Sequence, residues 1–163
     1  MKILFIQTGG TIDKDYPRIT GGYAFEITEP AVKRILEKIK PGFEYEILSL
    51  MQKDSQDISM ADREKILDAC RRAACDRIIV THGTDTMIET ARTLSAITDK
   101  TIILTGAMRP ERFTDSDAAF NIGVAIGAAN TLQPGVYIAM HGRVFSYDRA
   151  RRDIATGRFT DTD

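Results

Sequence analysis

Apolar residues gather in five short runs: Ile3 to Ile6, Tyr45 to Leu50, Arg77 to Thr81, Thr101 to Leu104 and Val136 to Met140. The runs are rich in Ile, Val and Leu and mostly lack polar alternation, which predicts strands covered on both faces, as in a parallel sheet. Between them the spacing turns helical. Pro30 to Ile39 has Thr28 as a candidate N-cap and Pro30 in its first turn, where a missing N–H costs little, and Lys40-Pro41-Gly42 ends it. Met60 to Ala74 follows Ser59 as N-cap and carries Asp62 in its first turn, with Ile66, Leu67, Cys70 and Ala74 on one face. In Thr86 to Ile97, the residues Met87, Thr90, Ala91, Leu94 and Ile97 recur at helical spacing. Ser116 to Asn130 offers Ala118, Ala119, Ile122, Ala125, Ile126 and Ala129, small or apolar side chains suited to close packing. Alternation of strand and helix predicts right-handed crossovers. The expected fold class is α/β, a doubly wound (Rossmann-like or flavodoxin-like), mainly parallel sheet with helices on both faces.

Two segments break the alternation. Gly9 to Tyr23 is a long connection after the first strand, and long loops in compact domains often serve as lids over a site. Arg143 to Asp163 is rich in Arg and Asp with scattered apolar residues. The expected organisation is one α/β domain over residues 1–142 and a hairpin or tail over 143–163, placed to pack on a partner subunit.

Composition narrows the function classes. Hydrophobic residues make up 43% of the 163 and charged residues 28%, an ordinary globular balance. Lys and Arg total 22 against 23 Asp and Glu, so no basic excess exists to neutralise a phosphate backbone, and no nucleic-acid partner is expected. No apolar run is long enough to span a bilayer, and the first one is too short for a signal-peptide core, so no membrane partner and a cytoplasmic location are expected. Cys70 and Cys75, spaced C-x4-C, match no strong zinc pattern and read as reduced thiols. Neither a metal nor another cofactor is expected.

In open α/β sheets ligands bind beyond the carboxyl ends of the strands. Those ends here carry Thr8-Gly9-Gly10-Thr11, Asp54-Ser55-Gln56-Asp57, Thr81-His82-Gly83-Thr84-Asp85-Thr86 and Thr105-Gly106-Ala107-Met108-Arg109-Pro110. Hydroxyls, glycines and carboxylates thus converge on one edge. The first is neither a dinucleotide fingerprint nor a phosphate loop, and taken alone it reads equally as a structural glycine turn. Thr84 and Asp85 suit helix capping as isolated positions. Beside a base, Thr84 would instead serve as a nucleophile or activate water, with N–H groups at the helix start stabilising an oxyanion. His82 reads as a hydrogen-bonded core residue.

Four blocks, Thr8-Gly9-Gly10-Thr11-Ile12, Ser55-Gln56-Asp57, Val80 to Met87 and Gly106 to Pro110, together resemble the signatures of the bacterial-type L-asparaginase family, in the family's order. The resemblance runs from about Lys2 to Met140 and covers the family's larger, N-terminal domain; the expectation is a short, single-domain form lacking the smaller C-terminal domain. It implies a threonine-nucleophile amidohydrolase, hydrolysing L-asparagine or a related small amide to the carboxylate and ammonia without a cofactor. By the same resemblance Thr11 is the nucleophile, Tyr23 its flap partner with Tyr16 as second candidate, and Thr84 with Asp85 completes the catalytic set. Gly10, Ser55, Gln56, Asp57, Gly83 and Asp85 are implied to bind the substrate, whose ammonium needs carboxylates and whose carboxylate needs hydroxyl or N–H donors.

The family places a lysine against the second threonine and aspartate, in the segment following Val136 to Met140. Here that segment contains no lysine; Arg152 and Arg151 fall near the place as candidate substitutes. In the family a neighbouring subunit supplies an acidic residue near the first threonine, for which Glu111 or a partner's tail is the candidate here. A non-catalytic or weakly active aspartate- or asparagine-binding protein is the rival reading, and an amidase for glutamine or a peptide-linked amide a third. A role as one component of a larger amidotransferase ranks below these. A homodimer or higher homo-oligomer is expected, with the Ser116 to Asn130 helix and the Arg-rich tail as contacts.

Overall fold

The computed structural model describes residues 1–15 and 25–162. Five parallel strands form the sheet: β1 (Lys2–Gly9), β4 (Glu44–Lys53), β5 (Arg77–Thr81), β6 (Thr101–Thr105) and β7 (Gly135–Met140). A sixth strand, β8 (Arg143–Ser146), returns antiparallel along β7. Two short strands, β2 (Lys14–Asp15) and β3 (Glu26–Ile27), pair at the base of the long connection, and β9 (Ala150–Arg152) pairs with β10 (Phe159–Asp161). The strand order is β4-β1-β5-β6-β7-β8. Chain direction therefore switches sides at β1, and the crevice between the ends of β1 and β5 is the place where doubly wound sheets bind ligands.

The helices are α1 (Ala31–Ile39), α2 (Met60–Arg72), α3 (Met87–Leu94) and α4 (Ala118–Thr131). Alternate strand residues feed two cores. Ile3, Phe5, Ile79 and Ile103 meet α1 and α4 on one face. Leu4, Ile6, Ile78, Val80, Ile102 and Leu104 meet α2 and α3 on the other. Covering both faces removes any need for polar alternation, which is why β1, β5, β6 and β7 read as apolar runs; β4, at the sheet edge, departs from that expectation and is largely exposed, Tyr45 and Leu48 included. Phe145, Ala150 and Phe159 join the α2–α3 core, so the segment from β8 to β10 packs on the sheet.

Helix ends follow the expected capping in one case and depart from it in others. Ser59 caps α2, its hydroxyl accepting from the Asp62 N–H while the Asp62 carboxylate accepts from the Ser59 N–H. That helix stops at Arg72 rather than Ala74, and Ala74 is exposed. Buried Lys100 takes the end of it, donating from Nζ to the carbonyls of Ala73 and Cys75 at 2.7 and 3.0 Å. α1 has no cap from Thr28. Its first N–H, on Ala31, donates to Oδ1 of Asp13 at 2.7 Å, a tertiary cap from the turn after β1. In α4 the residues Ala118, Ile122, Ala125 and Ala129 are buried against the sheet, whereas Ala119 is exposed.

Candidate active site

Three strand-end turns interlock through backbone rather than through long side chains. Gly10 has φ +88, and a Cβ there would lie 2.4 Å from the Gly83 backbone. A Cβ on Gly83 would lie 2.7 Å from Cβ and Oγ of Ser55. Only glycine at both positions lets the turns after β1, β4 and β5 touch. Gly10 N–H also donates to the Lys53 carbonyl at 3.0 Å, and the Thr86 hydroxyl donates to the Ser55 carbonyl at 2.7 Å. The turn after β6 buttresses this floor: His82 N–H donates to the Thr105 carbonyl at 2.9 Å, and Asp117 accepts from the N–H groups of Met108 and Arg109.

Thr11 and Thr84 flank the touching glycines, and both are half-buried. Thr8 and Thr81 lie deeper; the Thr8 hydroxyl donates to the Thr81 carbonyl at 2.8 Å, and the Thr81 hydroxyl points to the Ile6 carbonyl. Those two hydroxyls are committed to the backbone, whereas Thr11 and Thr84 lie nearer the surface of the crevice end. Thr84 and Asp85 do not cap α3. Thr86 occupies the N-cap position, and its hydroxyl serves Ser55 instead.

Side chains form the rim. Asp85 accepts from Gln56 Nε2 at 2.8 Å through one carboxylate oxygen. Its other oxygen pairs with Nη2 of Arg152 at 3.1 Å. Arg151 turns away onto its own strand, donating to the carbonyls of Asp148 and Ala150. Of the two arginines, then, Arg152 is the one that reaches Asp85, brought there by the β9–β10 hairpin. Asp57 sits exposed on the single 3-10 turn Ser55–Asp57, which the Asp54 carboxylate caps by accepting from the Gln56 N–H. Glu111 is engaged elsewhere: it pairs with Arg34 at 2.6 Å and Lys38 at 3.5 Å on α1. Tyr16 and Tyr23 lie outside the described residues.

His82 is structural, as its position after a buried strand predicts. It is fully buried, with Nδ1 2.7 Å from the Gly83 carbonyl and Nε2 2.8 Å from the Thr90 hydroxyl. A carbonyl only accepts, so Nδ1 carries the proton and Nε2 accepts from Thr90. Burial lowers its pKa to about 4, so the ring is neutral near pH 7. Sequence reasoning overlooks Asp13. Its signal is a carboxylate directly after apolar Ile12, at the end of the first block, but its partner Ala31 is distant along the chain.

A family model described as Asparaginase, N-terminal, matches residues 2–159. The chain belongs to the asparaginase family. Its structure superposes on the thermostable L-asparaginase from Thermococcus kodakarensis with a TM-score of 0.87 at 30% identity, covering 99% of this chain and 51% of that one. The glutaminase-asparaginase of Acinetobacter glutaminasificans is 26% identical over 167 residues, 95% of this chain and 49% of that protein. A glutamyl-tRNA(Gln) amidotransferase component from Aeropyrum pernix is 31% identical over 162 residues, 94% of this chain and 38% of that protein. The chain thus spans about half or less of the length of these relatives. Among the described residues, no helix of this asparaginase-family chain is long and apolar enough to cross a membrane.

Proposed function

We propose that the chain is an asparaginase-like amidohydrolase that hydrolyses L-asparagine, or a related small amide, through a threonine nucleophile. The observation that carries this reading is the meeting of Gly10, Gly83 and Ser55 at the topological switch point, with Asp85 beside it held by Gln56 and Arg152. The Thr11 hydroxyl attacks the amide carbon, and as the carbon–oxygen bond forms the proton it loses passes to the amide nitrogen. N–H groups of the glycine turns suit the oxyanion. The carbon–nitrogen bond breaks as the leaving nitrogen takes that proton and departs as ammonia. Water then cleaves the acyl-threonine ester and restores the hydroxyl. In this reading Asp57 and Asp85 take the substrate ammonium, and Ser55 with nearby N–H groups its carboxylate.

Arg152 supplies positive charge at Asp85 in the lysine's stead. A guanidinium holds its proton throughout, so it orients and balances charge without relaying protons. Domain boundaries at 1–142 and 143–163 and assembly into a homodimer or higher homo-oligomer belong to this proposal. For the oligomer, the outer face of α4, with Phe120 exposed beside Gly123 and Gly127, is the free candidate contact, since the Ala-rich face is used by the sheet.

Ammonia release from L-asparagine by the purified protein tests the reading. Thr11→Ala and Thr84→Ala are each expected to lose roughly a hundredfold or more in kcat, and Arg152→Ala roughly tenfold. An inactive wild type, or unchanged activity in both threonine variants, overturns it. Calorimetry showing aspartate binding without turnover would favour the binding-protein alternative. The similarity to a glutaminase-asparaginase and to an amidotransferase component is the reason to include L-glutamine in the panel.

A further inference from the structure

Asp13 is a buried ionisable group that the proposed reaction does not use. It ends the single 3-10 turn Thr11–Asp13 and is fully buried. Four bonds make it a junction. Its N–H donates to the Gly10 carbonyl at 3.2 Å. Its carbonyl accepts from the Thr28 N–H at 3.0 Å and the Thr28 hydroxyl at 3.2 Å. Its Oδ1 accepts from the Ala31 N–H at 2.7 Å, at the start of α1. One residue therefore joins the glycine floor, the turn carrying Thr11, the chain returning from the long connection, and α1.

The second carboxyl oxygen, Oδ2, is buried and makes no hydrogen bond among the described residues. A buried carboxylate oxygen without a hydrogen-bond donor is costly, and a proton on it lowers that cost. The facing groups are few. Arg34 of α1 lies near but is bound 2.6 Å from Glu111, whose own charge opposes ionisation of Asp13. The Gln7 amide on β1 and the Ala31 N–H favour the ionised form. Burial outweighs them and pushes the carboxyl up to about 7.

We propose that Asp13 is a positioning residue for Thr11, tying the nucleophile's turn to α1 through its buried carboxyl group and to the chain returning at Thr28 through its backbone carbonyl. The inference rests on the amidohydrolase reading for its effect on turnover, but its structural half stands without it. Near neutrality the group changes charge. Ionisation strengthens the bond to Ala31 at the positive end of α1 and draws on Arg34, so the Thr11 turn and the α1 start should respond together.

Two measurements decide it. In isotopically labelled wild type, the amide signals of Thr11, Thr28 and Ala31 are expected to titrate with a shared midpoint near pH 7, and in Asp13→Asn to stay flat through that range. In steady-state assays on L-asparagine at pH 6, Asp13→Asn keeps the acceptor for Ala31 and should hold kcat within about threefold of wild type. Asp13→Ala, which lacks the acceptor, should lose roughly tenfold or more in kcat with KM little changed. Thr11 signals that ignore the titration, or equal losses in the two variants, overturn the inference. A wild type that releases no ammonia while its Thr11 signal titrates defeats the amidohydrolase reading and supports the coupling. An active wild type with a flat Thr11 signal does the reverse.

Discussion

The turns after β1 and β5 each bury one titratable side chain next to a threonine, and they treat it in opposite ways. His82 has both ring nitrogens hydrogen-bonded, to Gly83 and Thr90. Asp13 has one oxygen bound to Ala31 and the other bare. Burial disfavours charge at both. The imidazole meets that demand by staying neutral with every polar atom satisfied, which makes it a fixed part of the wall. The carboxyl meets it only while it holds a proton, which leaves it responsive near neutral pH. Equal burial therefore does not mean equal rigidity; the count of satisfied atoms separates a structural group from a responsive one.

The sharpest way to break the comparison is to separate the two turns at their contact. Gly10→Ala puts a Cβ 2.4 Å from the Gly83 backbone at φ +88. Strain and overlap together predict a loss of about 3–5 kcal/mol, read from urea denaturation. A loss under about 1 kcal/mol would mean that the turns do not depend on each other.

A pH series sharpens it next. Asp13 holds its proton to about 7 in the fold against an ordinary 3.8, so its stabilising effect is complete below pH 4 and is lost as pH rises through about 7. His82 runs the other way: lowered from 6.5 to about 4, its effect is complete above pH 6.5 and is lost as pH falls through about 4. Each slope is about 1.4 kcal/mol per pH unit, so between pH 4 and 6.5 the two offset in wild type. In Asp13→Asn the His82 slope stands alone, and stability should rise by roughly 3 kcal/mol across that window. Denaturation curves that run parallel for the two proteins would contradict the Asp13 half of the argument.

The smallest effect comes from the satisfied side. Thr90→Val removes the hydroxyl that serves His82 Nε2 and leaves that nitrogen buried and unpaired. It should cost about 1–2 kcal/mol and allow His82 to stay bonded to Gly83. If the variant proves as stable as wild type, the His82 ring is less constrained than its distances say.

Much of this is legible in the sequence, and the failures share a cause. Apolar runs locate the inner strands because a sheet covered on both faces leaves no polar alternation to find, whereas at the edge strand β4 the run misleads about burial. Ser59 and Asp62 announce their cap because both partners lie within four residues. Thr28 is the natural candidate to cap α1 for the same reason of nearness, yet the cap is Asp13, brought there by the fold. Lys100, which ends α2, is equally remote from Ala73 along the chain. The meeting of Gly10, Gly83 and Ser55 is legible as blocks, since glycines at strand ends mark close approach. For the partner of Asp85 the sequence offers only a place along the chain; choosing Arg152 over Arg151 needs the register of β9 against β10, which turns neighbouring side chains to opposite sides.

The residues of the rim and floor are also synthesised in a fixed order. Gly10, Ser55 and Gly83 precede Arg152 in the chain, so a ribosome delivers the floor first and the guanidinium last. A nascent chain that has passed α3 but not β9 carries Gln56 and Asp85 before the Arg152 that pairs with the carboxylate has been added. The β9–β10 hairpin therefore works as a completion mark: the rim reaches its charge balance only after translation has carried the chain through Asp161 and the hairpin has closed.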